Sequence, residues 1–391
     1  MQRIYLKSGR ERPVLQGHPW IFSGAVEALE GDDQVAGVAD VFDSRKHWIA
    51  RGLYNPKSQI RIRILTGKQE TIDYDFFSRR LSQAFNFRHE YLSRSTDAYR
   101  IVNGEGDLLP GLIIDRYGDF CVCQFFTAGM DFFKADIVAA LSGLSRFRGI
   151  FENSVGRVRA EEGLQPSIGL LAGEAPPEFV SIKENGFTFL VDLRHGQKTG
   201  FFLDQRDNRA FLAGVAGGKT VLNCFAYSGS FSVYAYGARA KEVTSIDSSR
   251  PALELAERNL ELNGFDTAGA ELLKGDAFAF LKESGRTFDV IVLDPPSLAH
   301  RRSDVAAAAG GYKFLNMHAL KNMNPDGLLL TFSCSQHLAV DLFQKIVFGA
   351  AVDAGRRVSM LRRLGPPIDH PMSLHHPEGE YLKGLALRVL D

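Results

Sequence analysis

Phe288-Asp289-Val290-Ile291-Val292-Leu293-Asp294-Pro295-Pro296 and Leu328-Leu329-Leu330-Thr331-Phe332-Ser333-Cys334-Ser335 decide the fold. Each is an apolar, β-rich run that stops on polar residues. Continuous runs of this length suit strands buried on both faces, as in a parallel sheet. Ligands of open α/β sheets sit outside the carboxyl ends of the strands. The two runs therefore predict a carboxylate, Asp294, and a thiol, Cys334, at one rim.

Working outward, residues 219–292 alternate strand and helix patterns. Lys219-Thr220-Val221-Leu222-Asn223-Cys224-Phe225 is a strand that enters the small-residue loop Ala226-Tyr227-Ser228-Gly229-Ser230-Phe231. A second strand, Glu242-Val243-Thr244-Ser245-Ile246, ends in Asp247. The following helix is marked by Pro251 near its start, by Leu253, Ala256 and Leu260 on one face, and by Asn263-Gly264 at its end. An acid at the tip of the second strand suits ribose hydroxyls. Asp276, after a third strand, suits an adenine amine. Each acid alone also suits a helix N-cap. Gly229 stands alone in its loop, so the dinucleotide fingerprint G-x-G-x-x-G is absent. That disfavours a nicotinamide dehydrogenase and favours S-adenosylmethionine, which carries no phosphate.

The rest of the chain divides by pattern. Residues 1–70 are expected to form a small β domain. Ile60-Arg61-Ile62-Arg63-Ile64-Leu65 gives it an apolar and a cationic face, the latter most simply a solvated one. Residues 71–180 are expected to form an α+β middle domain, with a helix over 75–91 and a hairpin turning near Gly118. Cys121 and Cys123 would share a strand face as core filling. A Gly/Pro-rich stretch at 172–177 is a linker signal, and 181–391 are expected to form the α/β domain. Asn185-Gly186 predicts a tight hairpin turn at its start.

The 391 residues carry 46 basic and 46 acidic side chains, a net charge of +0, which argues against a uniformly basic nucleic-acid binder. Local patches are still allowed, with Arg61, Arg63, Arg79, Arg80 and Arg88 as candidates. No apolar run approaches the roughly 18 residues of a membrane span. Neither a signal-peptide core nor a zinc-type CxxC pair is present, and four unpaired cysteines fit a cytoplasmic location without a membrane partner.

The sequence resembles the S-adenosylmethionine-dependent methyltransferases with a PUA domain that make 5-methylcytosine in 23S ribosomal RNA. The likeness covers essentially the whole chain. It rests on His18-Pro19-Trp20-Ile21-Phe22-Ser23-Gly24, Asn103-Gly104-Glu105-Gly106-Asp107 and Asp115-Arg116-Tyr117-Gly118-Asp119. It continues through Gly196-Gln197-Lys198-Thr199-Gly200-Phe201-Phe202-Leu203-Asp204-Gln205-Arg206, the Asp294 and Cys334 runs, and Pro377-Glu378-Gly379-Glu380-Tyr381-Leu382-Lys383-Gly384. The resemblance implies an α/β fold: a PUA-like β domain, an α+β middle domain for RNA positioning, and a Rossmann-like class I methyltransferase domain with a mostly parallel seven-stranded sheet. It also implies a site. Asp247, Asp276 and Ala277 would hold ribose and adenine. Asn223, Phe225, Tyr227, Ser228 and Gly229 would wrap the methionine end, with Gln205, Arg206 and Asp294 close by.

Catalysis would use Cys334 as the nucleophile toward cytosine C6 and Asp294 on the base's N3 and amino group. A free cysteine at a strand end is otherwise a small buried hydrophobe. The second cysteine that many RNA cytosine-5 methylases carry after the Asp-Pro motif is replaced by Ser297. Lys198, His370 and Lys383 are candidate activators of the thiol. Two rival readings are N-methylation of a guanine in ribosomal RNA, which needs no thiol, and a non-catalytic ribosome assembly factor. Free ribosomal RNA and an assembling large subunit are both admissible substrates, and a homodimer is admissible.

Overall fold

Period-two alternation builds the first sheets. In the computed structural model, which describes residues 1–267, 270–299 and 301–391, the chain divides into two compact units. The first comprises Met1–Ile182, Val191–Phe201 and Ile368–Gly379, and the second Lys183–Leu190, Phe202–Pro367 and Glu380–Asp391.

In the first unit, β1 (Gln2–Leu6), β2 (Trp20–Phe22), β3 (Val26–Glu30), β4 (Gly37–Phe42), β5 (Trp48–Tyr54) and β6 (Ile60–Thr66) make a sheet of order β2-β6-β5-β4-β1-β3. Its inward residues Ile4, Leu6, Val41 and Ile62 are fully buried. A second sheet, β11-β10-β9-β8-β7, follows from β7 (Ala98–Asn103), β8 (Leu112–Tyr117), β9 (Phe120–Phe125), β10 (Gly149–Ser154) and β11 (Ser167–Gly173). The helix Tyr74–Tyr91 lays Phe76, Phe77 and Leu81 into the same core as Cys121, Cys123 and Phe125. The two cysteines are core filling, as their spacing suggests.

The candidate patch arginines mostly meet internal partners, and the strand face expected to be solvated is not so at Arg63. Arg63 is buried and its guanidinium lies 2.8 Å from the buried Glu162 carboxylate. Arg88, 1% exposed, is clamped by Asp107 at 2.5 and 2.7 Å and donates to the Asp369 carbonyl at 2.8 Å. Arg79 pairs with Glu70, Arg80 donates to the Leu65 carbonyl, and Arg61 to those of Asn55 and Pro56. Arg63 and Arg88 are consumed inside the unit, whereas Arg79 is exposed. A buried guanidinium needs a partner, and carboxylates distant in sequence supply two of them.

The second unit follows from runs buried on both sides. The hairpin of β12 (Val180–Glu184) and β13 (Phe187–Val191) turns at Asn185-Gly186, with φ of 49° and 88°, as two-residue primed turns require. Next come β14 (Thr220–Cys224), β15 (Glu242–Asp247), β16 (Glu271–Lys274), β17 (Phe288–Leu293), β18 (Met323–Ser333), β19 (Val358–Leu364) and β20 (Lys383–Val389). Their order is β16-β15-β14-β17-β18-β20-β19, parallel except at β20, which runs antiparallel to both neighbours. Val290, Val292, Leu330 and Phe332 join one core with Leu212, Phe231 and Ala235 from two helices. Ile291, Leu293 and Leu329 join the other, with Tyr312, Leu315 and Phe343. Both pleat faces are therefore apolar, which explains why the sequence shows no alternation there. No helix among the described residues is long and apolar enough to cross a membrane.

One ion pair is sealed in this unit. Arg209 donates through Nε and Nη2 to the two Glu184 oxygens at 2.7 and 2.6 Å, and both side chains are fully buried. Tyr234 Oη adds a bond to Glu184 at 3.0 Å. Removing one partner strands the other charge in a dry site. Arg209→Met is expected to lower stability by about 3–5 kcal/mol, read as the shift in a urea unfolding midpoint. The double variant with Glu184→Leu should recover most of that loss.

Candidate active site

The strand register of the second unit gathers the expected residues at one rim. Cys224 pairs with Ile246 on one side and Leu293 on the other, and Leu293 pairs with Thr331. Phe225, Asp247, Asp294 and Cys334 thus lie at or just beyond the carboxyl ends of four neighbouring strands. This is where an open parallel sheet binds ligands.

The loop after β14 is conformationally unusual. Phe225, Tyr227 and Gly229 have φ of 61°, 46° and 72°, the left-handed region that L side chains avoid. At Gly229 a side chain is also excluded sterically, because a Cβ would lie 2.7 Å from that of Ala256. The loop is held by Ala226 N donating to the Ile246 carbonyl (3.0 Å) and Tyr227 N to Asp247 Oδ2 (2.9 Å). Asn259 Nδ2 donates to the Ser228 carbonyl (2.9 Å). Strain of this kind persists where surroundings over-determine it, and it collects at ligand sites.

Asp247 also accepts from Ser249 N at 2.8 Å. Each of its oxygens keeps a second lone pair, the one a ribose hydroxyl would use. Asp276 is an exposed N-cap, accepting from Ala279 N at 2.9 Å, and Ala277 is the buried first residue of that helix. The capping role and a nucleoside contact are compatible, since capping occupies one oxygen. Asn223 is buried, with Nδ2 donating to Ser232 Oγ at 2.9 Å. Asn223 Oδ1 and Ser228 Oγ are buried without a hydrogen-bond partner. Two orphaned polar atoms beside a strained loop and a strand-end acid fit a ligand with a polar amino-acid end and a ribose, which are the parts of S-adenosylmethionine.

Gln205 is the link between the two halves of the site. Its Nε2 donates to Asp294 Oδ1 at 2.9 Å, while Asn208 Nδ2 donates to Gln205 Oε1 at 2.6 Å and to the Gly365 carbonyl at 3.1 Å. Asn208 therefore fixes which way the Gln205 amide faces, a role its sequence position did not signal. Arg206 is 3% exposed, with Nε 3.4 Å from Asp207.

Cys334 is partly exposed, and its S–H approaches the Pro295 carbonyl of the Asp294 loop at 3.9 Å. Beneath it lies a hydroxyl cluster absent from the sequence reading. Ser335 Oγ is 2.9 Å from Tyr312 Oη and 3.1 Å from Ser297 Oγ, and it accepts from Ala299 N at 3.3 Å. Ser297 thus ties the Asp294 and Cys334 loops together. Burial pushes the Tyr312 phenol above its ordinary value, so it stays protonated.

Lys383 emerges as the thiol's electrostatic neighbour. It is 3% exposed, and Nζ donates to the carbonyls of Ser335 (2.7 Å) and Leu338 (2.6 Å). Burial lowers its pKa, while the charges of Glu380 and Cys334 oppose that. The antiparallel pairing of Ser333 with Lys383 puts it there. Lys198 and His370 belong to the first unit.

Comparison with known proteins agrees with this geometry. Residues 4–67 match the model of a PUA-like domain, and 161–368 that of the S-adenosylmethionine-dependent methyltransferases. The chain is 47% identical to the ribosomal RNA large subunit methyltransferase I of Tolumonas auensis, over 99% of both chains. It is 45% identical to that of Klebsiella pneumoniae, over 99% of this chain and 98% of the relative. A methyltransferase crystallised with SAH superimposes over the whole of both chains with a TM-score of 0.87 at 26% identity. Fold, strand-end residues and relatives converge: this chain belongs to the S-adenosylmethionine-dependent ribosomal RNA large subunit methyltransferase I family.

Proposed function

We propose that the protein methylates C5 of one cytosine in 23S ribosomal RNA, in the cytoplasm, through a transient bond between Cys334 Sγ and cytosine C6. The observation that carries this reading is a partly exposed thiol 3.9 Å from the Pro295 carbonyl of the Asp294 loop. Guanine N-methylation has no use for it. Among the described residues the three other cysteines are fully buried, so Cys334 is the sulfur a base can reach. The substrate is naked RNA or an assembling large subunit, and the enzyme works as a monomer or homodimer.

S-adenosylmethionine, when bound, supplies an electrophilic methyl group on a sulfonium. Asp247 and Asp276 would hold its nucleoside, with Asn223, Ser228 and Arg206 at its amino-acid end. C5 of cytosine is too weakly nucleophilic to take that methyl unaided. Addition of the Cys334 thiolate to C6 turns C5 into an enamine-like carbon. After methylation, a base takes the C5 proton, the C5–C6 double bond re-forms, and the C6–S bond breaks to release the Cys334 thiolate. Asp294, oriented by Gln205, would hydrogen-bond N3 and the amino group as charge builds on the ring. Ser297 stands where a release cysteine would be, and its hydroxyl is engaged by Ser335. The target base must leave its stack, at a cost of a few kcal/mol.

Lys383 is the activator that the geometry favours. An ammonium tethered to two carbonyls near the thiol stabilises the thiolate over the thiol. Its removal raises the pKa of Cys334. The acid limb of kcat/KM in Lys383→Met should therefore move to higher pH, by about one unit or more, while calorimetry shows S-adenosylmethionine still bound. An unmoved limb removes Lys383 from the mechanism.

Cys334→Ala should abolish methylation and leave S-adenosylmethionine binding intact. Wild type incubated with 5-fluorocytosine-substituted 23S transcript should give an adduct that survives a denaturing gel. A methylating Cys334→Ala protein would transfer the reading to a ring nitrogen. Asp294→Asn keeps the side chain's shape but loses its charge, and kcat should fall by about 10²–10³, the scale of one lost transition-state partner. Bisulfite sequencing of 23S RNA from cells with and without the gene identifies the cytosine.

A further inference from the structure

An acid and a thiol that must address one ring need a fixed spacing, and one helix residue meets the loops of both. The helix Val305–Lys321 holds Tyr312 fully buried. Its ring packs edge-on against Phe343, with centroids 5.7 Å apart, and Asn316 Nδ2 donates to the Tyr312 carbonyl at 2.8 Å. Gly311, beside it, lets the helix approach the Asp294 loop, since a Cβ there would lie 3.0 Å from Leu298 Cδ1. The ring therefore has little freedom, and its hydroxyl has a fixed place.

That place is beside Ser335, itself fully buried and held at every polar atom. Its N donates to Ser333 Oγ at 3.3 Å, and its carbonyl accepts from Lys383 Nζ at 2.7 Å. Its Oγ lies among Ala299 N (3.3 Å), Ser297 Oγ (3.1 Å) and Tyr312 Oη (2.9 Å). The hydrogens of this cluster follow by elimination, because a hydroxyl has one to give. Ala299 N can only donate. Ser297 Oγ donates to the Ala299 carbonyl at 3.1 Å, so toward Ser335 it accepts. For both remaining contacts to carry a hydrogen, Ser335 must donate to Ser297 and the phenol to Ser335. The result is a one-way chain from Tyr312 through Ser335 and Ser297 to the Ala299 carbonyl, with each hydroxyl hydrogen used once.

Three separate elements meet in that chain. Ser297 and Ala299 belong to the Asp294 loop, Ser335 follows Cys334, and Tyr312 comes from the helix. Gln205 grips the first loop at Asp294, and Lys383 grips the second at the Ser335 carbonyl. Tyr312 acts where the loops meet. Its hydroxyl is reached by the Leu298 backbone from the first loop and by Ser333 and Ser335, the two neighbours of Cys334, from the second. Removing that hydroxyl leaves buried groups on both loops without a partner, which costs more than the bond itself contributes. The two loops would then be joined to each other but no longer to the helix beneath them.

We infer that Tyr312 is a positioning residue for the methylation: through one hydroxyl it sets the spacing at which Asp294 and Cys334 address the same ring. This role rests on the Cys334 chemistry proposed above. It is tested by steady-state methylation of unmodified full-length 23S transcript by wild type, Tyr312→Phe, Ser335→Ala, the double variant and Tyr234→Phe. Tyr234, bonded to Glu184 in the sealed ion pair, is the control for loss of a buried phenol and should keep the wild-type kcat. Tyr312→Phe should lower kcat by about 10–100-fold, the scale of misplaced reacting groups, with KM for RNA and for S-adenosylmethionine within about threefold of wild type. Adduct formation with 5-fluorocytosine-substituted transcript should slow by the same factor. The acid limb of kcat/KM should stay at its wild-type pH, unlike that of Lys383→Met, because Tyr312 places the thiol and does not charge it. Ser335→Ala should match Tyr312→Phe, and the double variant should lose no more than either single one, as members of one network do. Equal kcat values for Tyr312→Phe and Tyr234→Phe would overturn the role, as would a shifted acid limb or additive losses. If wild type leaves the transcript unmodified, or Cys334→Ala still methylates it, the underlying reading fails instead. Calorimetric binding of S-adenosylmethionine by every variant confirms that each is folded.

Discussion

A sheet buried on both faces leaves its strands only one place to do chemistry. Between two helical layers, the middles of β14, β17 and β18 present mostly aliphatic and aromatic side chains to either side. Polar groups inside those layers need partners there, as Asn223 has in Ser232. Polar function is thus displaced to the strand ends, and parallel pairing brings those ends to a common edge. Asp247, Asp294 and Cys334 are neighbours for this reason. The loop strain at 225–229, the Gln205 bridge and the serine link between the Asp294 and Cys334 loops all elaborate that edge.

Much of this was legible in the chain. The runs 288–293 and 328–332 carry no alternation because both their faces are covered, and that silence identifies a parallel sheet. Strand-end acids followed from the same argument. Asp276 shows the limit of such reasoning, because a carboxylate after a strand and before a helix caps the helix whatever else it does. Other features depend on distant residues. Period two in β6 revealed which side chains share a face, but not that Glu162 would cover Arg63. Nothing in the spacing of Tyr312 announces that its hydroxyl meets Ser335, since the contact depends on how a 17-residue helix packs. Lys383 was one candidate among three until strand pairing set it opposite Ser333.

The site separates holding from reacting. Gln205 and Asn208 come from one 3₁₀ turn and the helix after it: Gln205 donates to Asp294, and Asn208 holds Gln205. Ser297 and Ser335 join the two loops through hydroxyls. These neutral groups help orient the acid and the thiol, and Lys383 and Glu380 bring charge nearby. This arrangement lets protonation of the reacting groups change while their supports stay as they are.

The contrast among the four thiols reaches beyond catalysis. Burial drives Cys121, Cys123 and Cys224 far from ionisation, and thiols in that condition are inert toward oxidants and alkylating agents. Cys334 is open to solvent beside a lysine. Peroxide or iodoacetamide would therefore mark a single position in the native protein, so the group proposed to perform the reaction is also the point of vulnerability to oxidative stress.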